Sequence, residues 1–189
     1  MKQAKVLTDA EMKRLLAVIA NGSHAKRNRL AVMLSHLAGL RVGEIAALLV
    51  RDVVDREGKV REQVRLNPAY TKGGVGRTIF VNKRLKREIA QYLAALPALP
   101  APAAALLRTQ KRTAFSANTL CQLFGELYRR AGIDGATSHS GRRSFITKLA
   151  HAGISAKVIM ELAGHKHLGT TQRYIDVNDE MKRAAVEVL

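Results

Sequence analysis

The chain has 189 residues, 47% of them hydrophobic but only 4% aromatic, with no Trp. That is enough for one aliphatic, helix-leaning core, and it excludes wholesale disorder. Thirty-two Lys and Arg against fifteen Asp and Glu give +17, a field that repels itself unless a polyanion relieves it; nucleic acid is the expected partner, an anionic membrane surface or ribosomal setting the alternative.

In chain order, "TDAEMKRLLAVIA" opens a helix, with Thr8 as N-cap and Glu11 three residues later completing a capping box. "KRNRLAVMLSHLAG" continues with helical periodicity and stops at Gly39, and "VGEIAALLV" reads as another short helix. The period then changes. "KVREQVRL" and "RTIFV" alternate apolar and polar residues around the glycines of "TKGGVG", the pattern of a hairpin.

"KRLKREIAQYLAAL" returns to helix and ends at Pro97, and "PALPAPAAALL" reads as a short surface loop rather than a domain boundary. "SANTLCQLFGELYRRAG" is a helix from N-cap Ser116 to Gly132, with the single cysteine, Cys121, on its apolar side. One cysteine excludes an intramolecular disulfide and suits a reducing compartment. Helices follow at about 139–151, 155–163, 169–175 and 179–188. No run reaches the ~18 apolar residues of a membrane span, and "MKQAKVLTDAE" has no apolar signal core. The expected fold class is mainly α with a small antiparallel β-hairpin.

Four islands hold residues that packing alone does not demand. In "AGLRVGEIAAL", Arg41 opens a helix, where the macrodipole disfavours a cation, and Glu44 is spaced to orient its guanidinium. Lys72 sits among the hairpin glycines, free to swing as a proton donor or phosphate contact, or simply solvated. In "TSHSGRRSFITKLAHAG", His139 and Arg142 are three apart at a helix start and share one face beside its amides, a ready anion site. Arg143 points elsewhere on that reading, toward a DNA backbone. "LAGHKHLGTTQRYID" supplies His165 and Tyr174.

His165 and His167 lack acidic or thiol companions at metal-binding spacing, so no metal is expected. A nucleophile elbow, a P-loop and a carboxylate cluster are also missing. What remains suits metal-free phosphoryl transfer. Arginines neutralise charge on nonbridging phosphate oxygens, the positive field favours a phenolate, and a lysine or histidine protonates the departing sugar oxygen.

In this order the residues resemble the tyrosine recombinases of the phage-integrase family: "GLRVGEI", "TKGG", "HSGR", "LAGH" and "TTQRY". The resemblance implies the catalytic-domain fold of that family. It implies that Arg41, His139, Arg142 and His165 bind the scissile phosphate, Lys72 is general acid, Tyr174 forms a 3′-phosphotyrosine, and Glu44 buttresses Arg41. Arg77, Lys111, Arg112, Arg143, Lys166 and Arg173 are expected as further DNA contacts. No cofactor is implied, neither ATP nor metal. The partners implied are double-stranded DNA with paired recombination sites, a homotetramer on that DNA and accessory DNA-bending proteins. The implied location is cytoplasmic and nucleoid-associated.

Two features depart from the family pattern. Arg143 replaces the usual His or Lys after Arg142, and "SG" replaces an apolar position before it. About seven residues precede the first helix, so the expectation is one catalytic domain over 1–189 without an N-terminal core-binding domain, as in short invertases. Residues 177–189 are expected to form a docking helix whose apolar face is Met181, Ala184, Ala185 and Val188, packing either on a neighbouring protomer or on the chain's own core. Two other readings stay open. "ISAKVIMELAGHKHLGTTQRYI" has helix–turn–helix spacing with Ile154, Val158, Ile159 and Leu162 inside, which would suit a DNA-binding regulator without chemistry. A type IB topoisomerase would use similar chemistry.

Overall fold

The computed structural model describes residues 3–68, 76–175 and 179–187. Helix α1 (Asp9–Ala20) starts on Thr8, whose hydroxyl accepts from the Glu11 amide while the Glu11 carboxylate accepts from the Thr8 amide. The reciprocal pair satisfies two amides that a helix start leaves open. Helix α2 (Ala25–Ala38) is buried all round from Leu30 to His36, so it forms the centre of the domain. It stops at Gly39, whose φ of 61° is left-handed.

The single helix expected over "VGEIAALLV" is two, α3 (Val42–Ala47) and α4 (Val50–Val53), parted at the extended Leu48. The break has a partner. The Leu106 amide donates to the Leu48 carbonyl, and the Val50 amide to that of Ala104. The alanine- and proline-rich stretch is therefore more than a surface loop. It leaves Leu99 exposed but drives Leu106 and Leu107 into the core.

Strands β1 (Gln63–Leu66) and β2 (Arg77–Phe80) pair antiparallel, with Val64 opposite Ile79 and Leu66 opposite Arg77. Val64, Leu66 and Ile79 turn inward. The first strand is shorter than its alternation predicts because Val60 pairs with Val54 instead. The tip between the strands, with Lys72, lies outside the described residues.

Helices α5 (Lys83–Ala94) and α6 (Ala117–Arg130) are capped by the side chains of Asn82 and Ser116. Cys121 packs half-buried against the core, its thiol 3.3 Å from Ser138 Oγ. Helices α7 (Ser140–His151), α8 (Ala156–Ala163), α9 (Leu168–Gln172) and α10 (Asp179–Val186) complete the chain. The fold is mostly helical with one two-stranded sheet among the described residues. No helix among them is long and apolar enough to cross a membrane.

Two apolar clusters result among the described residues. The larger joins α1–α6 and the sheet; the smaller consists of Ile146, Ala150, Ile159 and Ala163, with Phe145, Leu149, Tyr174 and Ile175 packed on it. Helices α2 and α7 close tightly on each other. A Cβ on Gly141 would lie 2.7 Å from Ser35 Oγ, which explains why "SG" stands there: a side chain at 141 would push α7 off α2. Of the four residues expected inside a helix–turn–helix, only Ile159 is buried, while Ile154 and Val158 are exposed. In α10, Ala185 and Val186 are exposed; Val188 and the side chains of Met181 and Ala184 lie outside the described residues.

Candidate active site

The site is built on two helix C-termini. Helix α8 ends in a Schellman turn, with Gly164 at φ 63° donating to Glu161 O and the His165 amide reaching back to Met160 O. The carbonyls of Leu162, Ala163 and Gly164 remain available, as does that of Gly39 at the end of α2. Such orphan carbonyls carry the negative end of each helix dipole and attract cations.

Three arginines take them up. Arg142 Nη1 donates to Gly39 O and Nη2 to Ala163 O, each at 2.6 Å. Arg77 Nη1 donates to Leu162 O at 2.6 Å, and Arg41 Nη2 lies 3.5 Å from Gly164 O. One carboxylate joins them. Glu44 is 1% exposed and accepts from Arg41 Nη1 at 3.0 Å and Arg77 Nη2 at 2.7 Å. It also accepts from the Arg41 amide at 2.8 Å. Burial alone would raise the Glu44 carboxyl, but the charges of Arg77 and Arg41 and that amide hold it below the usual range. Burial, reinforced by Arg41 and Arg77, pushes Arg142 down to about 9, so it stays cationic at neutral pH. Carbonyls cancel no formal charge. Three guanidiniums facing one carboxylate leave a net positive centre beneath the cleft.

The cleft, about 390 Å³, is lined by Arg41, His139, Arg142, His165 and Tyr174, with Arg143 on its wall. His139 is the exposed N-cap of α7, which places it one turn ahead of Arg142. His165 follows the Gly164 turn, and its Nδ1 lies 2.8 Å from the buried Thr171 Oγ1. Burial, then the charges of Arg142, Arg41 and Arg77, push His165 down to about 4, so its ring is neutral at pH 7. The Tyr174 ring stacks on it, centroids 5.8 Å apart and planes 20° from parallel. Arg41 and His165 also wall an adjoining cleft of about 470 Å³ between β2 and α8. Among the described residues, no three His, Cys, Asp or Glu side chains gather as metal ligands.

Five of the six residues singled out as catalytic thus share one cleft, and Lys72 lies outside the described residues. Glu44 holds Arg41 as its spacing suggests. Two expected DNA contacts fall elsewhere. Arg77 is 7% exposed, its two terminal nitrogens held by Glu44 and backbone carbonyls and its Nε buried without a hydrogen-bond partner, so it braces the site from within. Arg143 does not point away: its guanidinium turns back over Tyr174, a reach its long side chain allows. Lys111, Arg112, Lys166 and Arg173 are exposed, and Arg173 lines the cleft. Sequence reasoning missed Thr171 and the carbonyls of Gly39 and Ala163. Only the glycines at 39 and 164 hinted at the latter.

The model of the phage integrase family matches residues 5–181. Tyrosine recombinase XerA of Pyrococcus furiosus is 34% identical over 183 residues, covering 97% of this chain and 61% of that protein. The chain therefore spans about three-fifths of that relative's length. The fold is similar to that of the Tn1549 transposon integrase in complex with transposon right end DNA, with TM-score 0.79 at 19% identity, covering 99% of this chain and 66% of that one. It is also similar to the XerH site-specific recombinase bound to palindromic difH substrate, with TM-score 0.74 at 20% identity, covering 99% and 53%.

Proposed function

The chain belongs to the phage integrase family, and on that premise we propose that it cleaves and rejoins DNA as a site-specific recombinase. Tyr174 attacks the scissile phosphate, its oxygen bonds to phosphorus, and the 5′-oxygen leaves. A second strand's 5′-hydroxyl later attacks the phosphotyrosine and releases the phenol, so the phosphodiester energy is kept and no nucleotide is consumed.

The observation that carries this reading is the convergence of Arg41, His139, Arg142, His165 and Tyr174 on one cleft above a net positive arginine cluster. Arg41 and Arg142 neutralise the nonbridging oxygens as charge develops, and because they are held beforehand, little reorganisation is needed. His139 and neutral His165 hydrogen-bond the same oxygens. Lys72 is the acid for the leaving 5′-oxygen. The exposed cations Lys111, Arg112 and Lys166 hold the backbone beyond the cleft, and Arg173 holds it at the cleft wall. The substrate is double-stranded DNA with paired sites, bound by a tetramer that uses the 177–189 tail for docking.

A nicked suicide duplex tests the reading. The 5′-hydroxyl fragment diffuses away after cleavage, so an SDS-resistant protein–DNA adduct should accumulate. A complex that binds the duplex but leaves no adduct would favour a regulator. Relaxation of a plasmid lacking paired sites would favour a topoisomerase.

A further inference from the structure

Arg143 is the residue whose surroundings the proposed chemistry does not explain. Its Cζ lies over the Tyr174 ring, 5.6 Å from the centroid. Its Nη1 donates to Ala4 O at 2.9 Å, while its Nε is buried with no hydrogen-bond partner. The segment that supplies Ala4 is itself tied down: the Lys5 amide reaches Gly135 O at 3.4 Å, and the Leu7 amide donates to Ser144 Oγ at 2.8 Å. Ser144 is fully buried on α7, one residue beyond Arg143.

These contacts make a chain of restraint. The N-terminal segment lies across α7, Ala4 fixes the outer end of the guanidinium, and the guanidinium presents its charge to the phenol ring. The backbone supporting Tyr174 is slight by comparison. Helix α9 is five residues long, and Tyr174 follows it in a turn closed by its amide on Thr171 O. So short an element does not fix an aromatic side chain by itself, and the ring's position depends on what it touches: His165, the α7–α8 apolar cluster and Arg143.

We propose that Arg143 is a positioning residue for the nucleophile, holding the Tyr174 ring in the chain's own cleft by a cation–π contact that the segment around Ala4 keeps in place. This rests on the reading of Tyr174 as nucleophile. It separates Arg143 from the surface cations. A phosphate contact would be felt in DNA affinity, whereas a ring contact is felt in how often the phenol is docked for attack.

The test compares Arg143→Met, which keeps length without charge, with Arg143→Lys, which restores the cation. Adduct formation is followed in single turnover at saturating suicide duplex, together with DNA affinity across a salt series. Arg143→Met should slow adduct formation on the order of tenfold, within the range of a partly desolvated cation–π contact. Its affinity and salt slope should stay at wild-type values, and Arg143→Lys should recover most of the rate. The opposite pattern overturns the proposal: a wild-type saturating rate with weaker binding and a salt slope flattened by about 0.9, the signature of one lost phosphate contact. Equal slowing in Met and Lys overturns it too, since packing alone would then account for the loss.

A second readout needs no DNA. Nitration of Tyr174 by tetranitromethane, mapped by peptide mass spectrometry, should rise several-fold in Arg143→Met and stay near wild type in Arg143→Lys. The buried Tyr92 and Tyr128 serve as internal references. Unchanged nitration in Arg143→Met refutes the proposal whatever the adduct assay gives. A wild-type protein that forms no adduct but shows the nitration difference would instead sink the nucleophile reading and leave the ring contact standing.

Discussion

Glu44→Gln and Arg77→Met, singly and together, probe the electrostatic frame of the cleft. Among the described residues Glu44 is the one carboxylate that bonds this arginine cluster, and it accepts three hydrogen bonds of 2.7–3.0 Å. Two charges about 4 Å apart at an effective dielectric near 20 interact by about 4 kcal/mol. Removing one partner of a buried pair leaves the other stranded, at about 3–5 kcal/mol. Glu44→Gln should therefore lower Tm by about 10 °C, taking about 2–4 °C per kcal/mol for a chain of this size. Arg77→Met should cost about 3 kcal/mol: Arg41 still partners Glu44, so the carboxylate is only partly stranded, but Leu162 O loses its 2.6 Å donor. The double variant strands less charge than the sum implies, so the coupling between the two sites should be at least about 2 kcal/mol. Urea titrations of the four proteins measure it. Losses that add within about 0.5 kcal/mol would show that the frame is not held by this pair.

Two further predictions concern a buried histidine of α2 and the turn that ends α8. His36, buried in α2 with its Nδ1 unpartnered, is pushed down to about 4 by burial and then by Lys148 and Arg84, with Asp9 opposing. The unfolded chain holds that proton between about pH 4 and 6.5, so the stabilisation is complete above pH 6.5 and is lost as pH falls toward 4, at up to about 1.4 kcal/mol per unit. His36→Leu should flatten that part of the stability–pH curve in urea melts, and an unchanged slope refutes the assignment. Gly164→Ala would place a Cβ 2.4 Å from Arg77 Cδ at a φ of 63°. The left-handed backbone alone costs about 1–2 kcal/mol, so Tm should fall by about 5 °C with slower adduct formation. A wild-type Tm would mean that the α8 turn does not fix the arginines.

Much of this was legible beforehand because local rules act locally. Thr8 and Ser116 cap the helices their hydroxyls predict, Gly39 and Gly164 end helices in the left-handed region, and Glu44 meets Arg41 through i,i+3 spacing. The misreadings share a different cause. Arg77 and Arg143 are arginines in a strongly basic chain, and composition assigns every such cation to the surface; only tertiary contacts show one turned onto Glu44 and the other onto Tyr174. Leu48 breaks a helix because a segment more than fifty residues later bonds to it, and no local pattern carries that information. The support His165 receives from Thr171 depends on how the chain turns at Gly164, which spacing along the sequence does not encode.

The most direct measurement takes the adduct from the suicide duplex, digests it with trypsin and nuclease, and sequences the nucleotide-bearing peptide by tandem mass spectrometry. The account predicts a 3′-phosphonucleotide on Tyr174 alone, and no adduct from Tyr174→Phe at DNA occupancy equal to wild type. An adduct on another residue, or one that survives in Tyr174→Phe, would contradict it.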